Sequence, residues 1–343
     1  MKLTSRQENI LLAIVKEYIR TAEPVSSQAL LLKHDFVFSS ATLRSEMASL
    51  EDLGYLIQPY TSAGRIPSDR AYRFYVDTLM QEEIPPPPEA LSIRRQYQYL
   101  DAEMDRMIQQ TTRLLADLTR YTSLVLAPQI RKTFFKYLKL LPLGPGTILM
   151  VLLTNTGSML KRVVEVTEEV QPETLEKVAN LLNERLNGIS FALMDAPFLE
   201  FSSVDFEKTL LLREISRATV EAAREHEEKL FYEGTSHLLE VPEFRDLNKL
   251  QTILEFLEEE KLIAEILGKT LASPGIQVGI GSENRCVEIR DCAMITATYQ
   301  VGGKPLGTIG IIGPTRMPYR NIISIVDYVA GSFSDKLNRM SGD

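Results

Sequence analysis

The sequence predicts an α+β fold with more than one domain, and three features of the chain lead to this prediction. The first 80 residues alternate helical and strand-like patterns. Four consecutive prolines follow at 85–88, and the rest of the chain carries apolar, strand-like runs that a helical stretch divides. At 343 residues the chain is long enough for two or three domains of ordinary size.

Local capping signals predict four helices before the prolines. Thr4 and Gln7 have the spacing of a capping box at the start of the first helix. Ser26 and Ser68 fit the N-caps of the second and fourth helices, because a serine hydroxyl accepts from an unpaired N–H of the first turn. The third helix is predicted over residues 39–53, with an apolar stripe of Leu, Met and Leu on its inner side.

A short hairpin is predicted between the third and fourth helices. Gly54 suits the left-handed position after a helix, and strand-like residues follow at 55–58 and 65–66. Three helices, a hairpin and a further helix form the order of a winged helix-turn-helix module. We assign this module to residues 1–80 and a proline-rich linker to residues 81–90.

Residues 97–121 are predicted to lie on one long helix. Their apolar positions are spaced alternately by three and four residues, with one polar interruption at Thr111. Such a heptad pattern indicates either a coiled-coil seam between two copies of the chain or an amphipathic helix that packs on its own domain.

The remaining chain, residues 91–343, is predicted to form an α+β domain with an insertion. Strands are predicted at 132–141, 147–154, 158–166, 276–280, 287–290, 293–300 and 305–312, and helices at 173–186, within 203–234, at 250–267 and at the C-terminus. The helical segments separate the two groups of strands, which indicates one domain interrupted by an inserted unit.

Charge alone does not mark a nucleic-acid-binding surface. The net charge is −8, and the first 80 residues hold nine basic and nine acidic side chains. A case for DNA binding therefore depends on where the arginines lie. With two cysteines, no secretion signal and no apolar run of membrane-spanning length, we expect a cytoplasmic protein without disulfides.

The start of the third helix has the composition of a DNA recognition helix. Its predicted outward and N-terminal positions are small and polar except for one arginine, and the candidate contacts are Ser39, Ser40, Ala41, Thr42, Arg44 and Ser45. Small residues let a helix approach base edges closely, and Arg44 can donate two hydrogen bonds to guanine. The alternative is that Arg44 is solvated or paired with Glu46 or Asp52.

The hairpin loop supplies a second set of candidate contacts. Thr61, Ser62 and Gly64 form a small-residue loop that ends in Arg65, which suits the minor groove or its flanking phosphates. Arg70 and Arg73 follow one helical turn apart and suit contacts with the DNA backbone.

Several motifs resemble the HrcA family of heat-inducible transcription repressors. The longest is Pro-Tyr-Thr-Ser-Ala-Gly-Arg-Ile-Pro at 59–67, and others lie at 18–25, 39–44, 238–244 and 307–319. The resemblance extends over the whole chain. The sequence departs from the family pattern at 26–28, at Ser45-Glu46 and at Tyr60. These departures leave the expected fold unchanged, but the detailed base contacts need not be those of the family.

The resemblance implies a particular architecture and function. It implies a winged helix-turn-helix, a GAF-like domain and an inserted dimerisation domain, which we place at 168–240. It also implies a homodimer that represses chaperone operons through an inverted-repeat operator of the CIRCE type, with a GroEL-type chaperonin as a partner that keeps the repressor active until heat stress. Of the two candidate dimer surfaces, the resemblance favours the inserted helical region over the heptad pattern.

Two other functional classes are weaker hypotheses. The three histidines lack metal-ligand spacing, and no nucleophile elbow, phosphate-binding loop or dinucleotide fingerprint is present, so we expect no enzyme activity, metal or cofactor. A ligand-sensing regulator is the second alternative, because GAF-like folds often bind small molecules. No residue in the sequence identifies a pocket for one.

Overall fold

The computed structural model describes residues 3–34, 36, 39–60, 63–99, 103–130, 133–166, 170–194, 206–225 and 229–341. Within these ranges the protein has a mixed α and β fold. The helices are α1 (Ser5–Thr21), α2 (Ser27–Lys33), α3 (Ser40–Asp52), α4 (Asp69–Met80), α5 (Ala90–Tyr99), α6 (Met104–Thr119), α7 (Pro172–Leu186), α8 (Phe206–Glu225), α9 (Leu247–Glu258), α10 (Glu260–Thr270) and α11 (Tyr319–Ser341). The strands are β1 (Leu56–Ile57), β2 (Ile66–Pro67), β3 (Thr122–Leu126), β4 (Phe135–Gly144), β5 (Thr147–Thr154), β6 (Met159–Glu165), β7 (Leu230–Glu233), β8 (Gln277–Ile280), β9 (Cys292–Val301) and β10 (Lys304–Pro314).

The N-terminal helices begin where their capping residues predict. Thr4 and Gln7 form the reciprocal capping box of α1. The hydroxyls of Ser26, Ser39 and Ser68 accept backbone hydrogen bonds at the starts of α2, α3 and α4. Strands β1 and β2 pair antiparallel between α3 and α4. The predicted order of helices and strands in this segment is confirmed.

A five-stranded antiparallel sheet forms the centre of the C-terminal part, with strand order β7-β3-β10-β9-β8. One face packs against α5, α6 and α11, and the same apolar cluster continues into the core of α1–α4. The other face packs against α9 and α10. The N-terminal helices and the central sheet therefore share buried apolar contacts.

A separate three-stranded antiparallel sheet, in the order β4-β5-β6, has its own core. One of its faces packs against α7 and α8, and this cluster extends from Ile130 to Ala223. The cluster thus begins and ends earlier than the predicted insertion at 168–240. Strand β7 pairs with β3 and so belongs to the five-stranded sheet.

The predicted long helix over 97–121 is wrong. The structure has two helices, α5 and α6, and Glu103 before α6 has a non-helical backbone. Tyr97, Met107 and Thr111 are buried against the core that contains α11, and the Tyr97 hydroxyl lies 2.8 Å from the Thr111 hydroxyl. The heptad residues described here therefore pack within their own chain; Leu100 lies outside the described residues.

Other local differences arise where tertiary packing overrides the pattern. The predicted helix over 250–267 is divided at Glu259 into α9 and α10. The predicted strand at 287–290 is a short 3-10 helix, Val287–Ile289. Strand β3, absent from the sequence prediction, lies next to β10 in the central sheet.

Candidate nucleic-acid interface

Helix α3 buries one side and exposes the other, as the sequence predicts. Leu43, Met47 and Leu50 are buried in the core of the N-terminal helices. Ala41 and Arg44 are exposed, and so are Ser39, Ser45 and Ala48. The exposed surface is composed of small side chains around one arginine.

The Arg44 guanidinium has few partners within the protein. Its Nε donates to the Ser27 hydroxyl at 3.4 Å, and no carboxylate of the described residues forms an ion pair with it. Glu46 pairs instead with Arg6 at 3.4 Å. Of the alternatives for Arg44, pairing with Glu46 or Asp52 is therefore not what the structure has.

The hydroxyls at the start of α3 are partly occupied by local contacts. Ser39 Oγ lies 3.0 Å from Thr42 Oγ1, and Ser40 Oγ lies 3.4 Å from Ser27 Oγ. These contacts orient the first turn of α3 against α2. Ser39 nevertheless remains exposed beside the helix N-terminus, where unpaired N–H groups favour an anion such as phosphate.

The base of the hairpin packs tightly on the segment before α2. A Cβ at Gly64 would lie 2.5 Å from the carbonyl carbon and oxygen of Val25, so no larger residue fits there without a shift. Tyr60, which precedes the loop, is 62% exposed. The candidate residues Thr61 and Ser62 lie outside the described residues.

Arg65 lies at the base of the hairpin, and both its backbone and its guanidinium have partners within the protein. Its backbone exchanges two hydrogen bonds with Val25, at 2.8 and 2.9 Å. Its guanidinium contacts Glu51 of α3 at 2.8 Å, and the side chain is only 19% exposed. Through this contact Arg65 connects the hairpin to α3. The Glu51 carboxylate also neutralises its charge within the protein.

Arg70 and Arg73 have different surroundings on α4. Arg70 is exposed, donates to the Leu53 carbonyl at 2.7 Å and lies over the Tyr55 ring at 4.4 Å from its centroid. Arg73 donates to the Glu283 carboxylate, with Nε at 2.7 Å, and also to the Val278 carbonyl. The Arg73 guanidinium therefore binds the C-terminal part of the chain, and its contact with the DNA backbone stays a prediction.

A second contact on α4 strengthens this docking. The Asp69 carboxylate accepts from the Ser282 backbone at 2.8 Å and from the Ser282 hydroxyl at 2.9 Å. We call Asp69, Arg73 and the facing residues 281–283 the docking contact. Sequence reasoning missed Glu51 and Glu283 as partners of arginines, and no spacing signal marks them, because Glu283 lies 210 residues from Arg73.

The described residues offer little for other chemistry. No group of three His, Cys, Asp or Glu side chains among them is placed to share a metal ion. Burial raises the pKa of the Cys292 thiol to about 12, so this thiol stays protonated. No helix in the described part of the chain has the length and apolar content to cross a bilayer.

Comparison with known proteins identifies the class and then the family. Residues 105–323 match the model described as the HrcA protein C terminal domain. A protein of Halalkalibacterium halodurans is 42% identical, with 96% of each chain covered, and one of Desulforamulus reducens is 38% identical, with 99% of each covered. Both are named heat-inducible transcription repressor HrcA, which places this chain in a class of transcription repressors. The chain belongs to the HrcA family.

A solved structure supports the fold over the whole chain. The crystal structure of a hypothetical protein at 2.2 Å resolution is 26% identical and has a TM-score of 0.68. The match covers 99% of this chain and 100% of the other.

Proposed function

We propose that the chain represses heat-shock chaperone operons by binding an inverted-repeat DNA operator as a homodimer. The observation that carries this proposal is the exposed side of α3, where no carboxylate of the described residues pairs with Arg44. The chain also belongs to a family of transcription repressors. Helices α1–α4 with the β1–β2 hairpin serve as the winged helix-turn-helix, and α3 is its recognition helix. The chain acts as a regulator and has no catalytic role in this proposal.

Arg44 is the main base-reading residue in this proposal. A guanidinium on a helix in the major groove binds guanine O6 and N7 together and contributes about 1–3 kcal/mol of discrimination. Ala41 and Ser45 allow close approach of the helix, Ser39 lies near a phosphate, and Arg70 can contact the DNA backbone with its remaining N–H groups. Arg65 positions the hairpin through Glu51.

We place the domain boundaries as follows. The winged helix-turn-helix occupies residues 1–80, the linker 81–90 and a GAF-like domain 91–343. The inserted unit is better placed at 130–223 than at 168–240, since β4–β6, α7 and α8 share one core and β7 pairs with the central sheet.

The homodimer interface is proposed on the outer face of β4–β6. Cross-strand neighbours on this face form two apolar rows, Tyr137-Leu153-Met159 and Leu141-Leu149-Val163. Tyr137, Leu141, Met159 and Val163 are between 38% and 55% exposed, which is unusual for large apolar side chains clustered on one sheet. A second copy can cover this face by two-fold symmetry, the symmetry of an inverted repeat.

The response to heat is proposed to involve a GroEL-type chaperonin that keeps the repressor active. The support is the relatives' description as heat-inducible repressors. Operator binding by the full chain should increase when purified chaperonin is added. Unchanged binding over a range of chaperonin concentrations would contradict this partner.

The base-reading role is tested with Arg44→Ala in the full chain. Fluorescence anisotropy should show at least about a tenfold loss of affinity for the inverted repeat and less than about a threefold loss for random DNA. Arg95→Ala is the matched control, because it removes an exposed arginine on α5, away from α3. Equal losses on both DNAs would refute base reading by Arg44.

A further inference from the structure

A cavity of 780 Å³ lies between α10 and the edge of the central sheet formed by β8 and β9. Its apolar lining includes Leu262 and Ile266 of α10, together with Ile289 and Met294. The volume lies within the range of cavities that hold small molecules. Its position on the C-terminal part separates it from the proposed DNA-contacting side of α3.

Two polar groups in the cavity wall lack partners within the described protein. Thr296 of β9 is only 4% exposed, and its hydroxyl forms no hydrogen bond with the part of the chain that the structure describes. Arg285 is exposed, and no described carboxylate lies within ion-pair distance of its guanidinium. A bound group that accepts a hydrogen bond from the Thr296 hydroxyl and pairs with the Arg285 guanidinium would stabilise the site.

The other charged groups of the wall are neutralised. Lys269 pairs with Glu265 at 2.6 Å, and Glu283 pairs with Arg73 of α4. The net electrostatic preference of the cavity is therefore set by Arg285, which favours an anion. Carboxylates suit this role because a guanidinium can donate two parallel hydrogen bonds to them.

We propose that this cavity binds a small carboxylic acid with an apolar body, whose carboxylate pairs with Arg285 and whose polar end also reaches Thr296. The apolar body contacts Leu262, Ile266 and Met294. This site is additional to the operator-binding surface.

Occupancy of the cavity is transmitted to the N-terminal helices through the docking contact. Val278 and Glu283 line the cavity, and both accept hydrogen bonds from Arg73 of α4. A ligand that shifts residues 281–286 therefore changes the hydrogen bonds that fix α4 to the central sheet. This second step rests on the proposed function, because its effect is on operator affinity.

Ligand binding is tested on the full chain without DNA, with phenylacetate as the probe. Titration calorimetry or saturation-transfer NMR should show saturable binding with a Kd on the order of 1 mM. The uncharged 2-phenylacetamide should bind about tenfold more weakly, and acetate, which lacks the apolar body, should show no saturation. Absence of saturable phenylacetate binding, or equal binding of the amide, would overturn the proposed ligand class.

Variants locate the probe in this cavity. Arg285→Gln should weaken phenylacetate binding about tenfold and Thr296→Val at least about threefold, whereas Arg290→Gln, an exposed arginine outside the cavity wall, should leave it unchanged. Circular dichroism confirms that each variant is folded. If folded Arg285→Gln and Thr296→Val bind phenylacetate like the wild type, the site is not this cavity.

The coupling is tested with operator DNA and the Arg73→Gln variant. Saturating phenylacetate should change the operator affinity of the wild type at least about fivefold, the lower end of the range typical of coupling between two sites. Arg73→Gln should still bind phenylacetate but lose this change. No effect on wild-type operator affinity would refute the coupling. A chain that binds phenylacetate but not operator would refute the proposed function and leave the ligand site standing.

Discussion

Replacing Gly281 with alanine should release the contact between α4 and the central sheet. Gly281 has φ of +54°, a left-handed conformation that an alanine adopts at a cost of roughly 1 kcal/mol. A Cβ at this position would lie 2.2 Å from Asp69 Oδ2 and 2.3 Å from Asp69 Cγ. Since these distances are far below van der Waals contact, the Asp69 carboxylate must move away.

The displacement removes the two hydrogen bonds that Ser282 donates to Asp69. Each contributes about 0.5–1.5 kcal/mol at a partly exposed site. Together with the backbone strain, the free energy of unfolding should fall by about 2–4 kcal/mol. Gly303→Ala is the matched control, because Gly303 has φ of +74° and no atom within 4 Å of an added Cβ, so only the strain should appear.

Urea unfolding followed by far-ultraviolet circular dichroism measures these differences, with the slopes compared to check that the same structure unfolds. In an Asp69→Ala background the added cost of Gly281→Ala should fall to about 1 kcal/mol, because the clash is absent. The reasoning is refuted if Gly281→Ala destabilises no more than Gly303→Ala, or if its cost is the same with and without the Asp69 carboxylate.

Three further substitutions test other parts of the structure. Val163→Glu should convert the proposed dimer to a monomer in sedimentation, because it places a charge in an apolar row of the proposed interface. The control is Leu247→Glu, which replaces a 77% exposed leucine on α9 and should leave the dimer intact. If the Val163→Glu variant is still dimeric, this face is not the interface. Arg65→Gln should lower the free energy of unfolding by about 1 kcal/mol and leave the salt dependence of operator binding unchanged, since the charge is already paired; a flatter salt dependence would instead indicate a phosphate contact. The hydrogen bond from Lys33 holds the pKa of Glu17 below its ordinary value of 4.5, so this carboxylate stabilises the fold above that pH and loses its effect as pH falls through the lowered pKa. Glu17→Gln should therefore destabilise the protein at pH 7, with a difference from the wild type that shrinks in acid; a difference that is constant with pH in thermal unfolding would contradict this.

Features that depend on a few neighbouring residues could be predicted from the sequence. The caps at Thr4, Ser26, Ser39 and Ser68 are local, because each hydroxyl accepts from the backbone N–H three residues later. The inner stripe of α3 follows from helical periodicity for the same reason. These signals placed the first four helices and the exposed position of Arg44.

Features that depend on distant partners could not be predicted. The heptad spacing over 97–121 is equally compatible with a partner copy and with α11 of the same chain, and only the fold decides between them. Strand β3 becomes a strand because it pairs with β7 and β10, which are more than a hundred residues away. The pairing of Arg65 and Arg73 with carboxylates is of the same kind, since sequence position carries no information about either contact.

The arginine contacts also bear on how operator affinity can arise. The first 80 residues have no net charge, and Arg65 and Arg73 are neutralised by Glu51 and Glu283. Under the proposed function, one copy of the N-terminal segment α1–α4 therefore releases few counterions when it binds DNA, and the non-specific part of its DNA affinity is correspondingly weak. The base contacts proposed for Arg44 then make up a larger share of the binding free energy. They contribute only about 1–3 kcal/mol per half-site, which is too little to hold a repressor on DNA by itself. Linking two modules raises the effective concentration of the second after the first has bound. Under the proposed function, dimerisation through the outer face of β4–β6 therefore has to supply most of the remaining affinity.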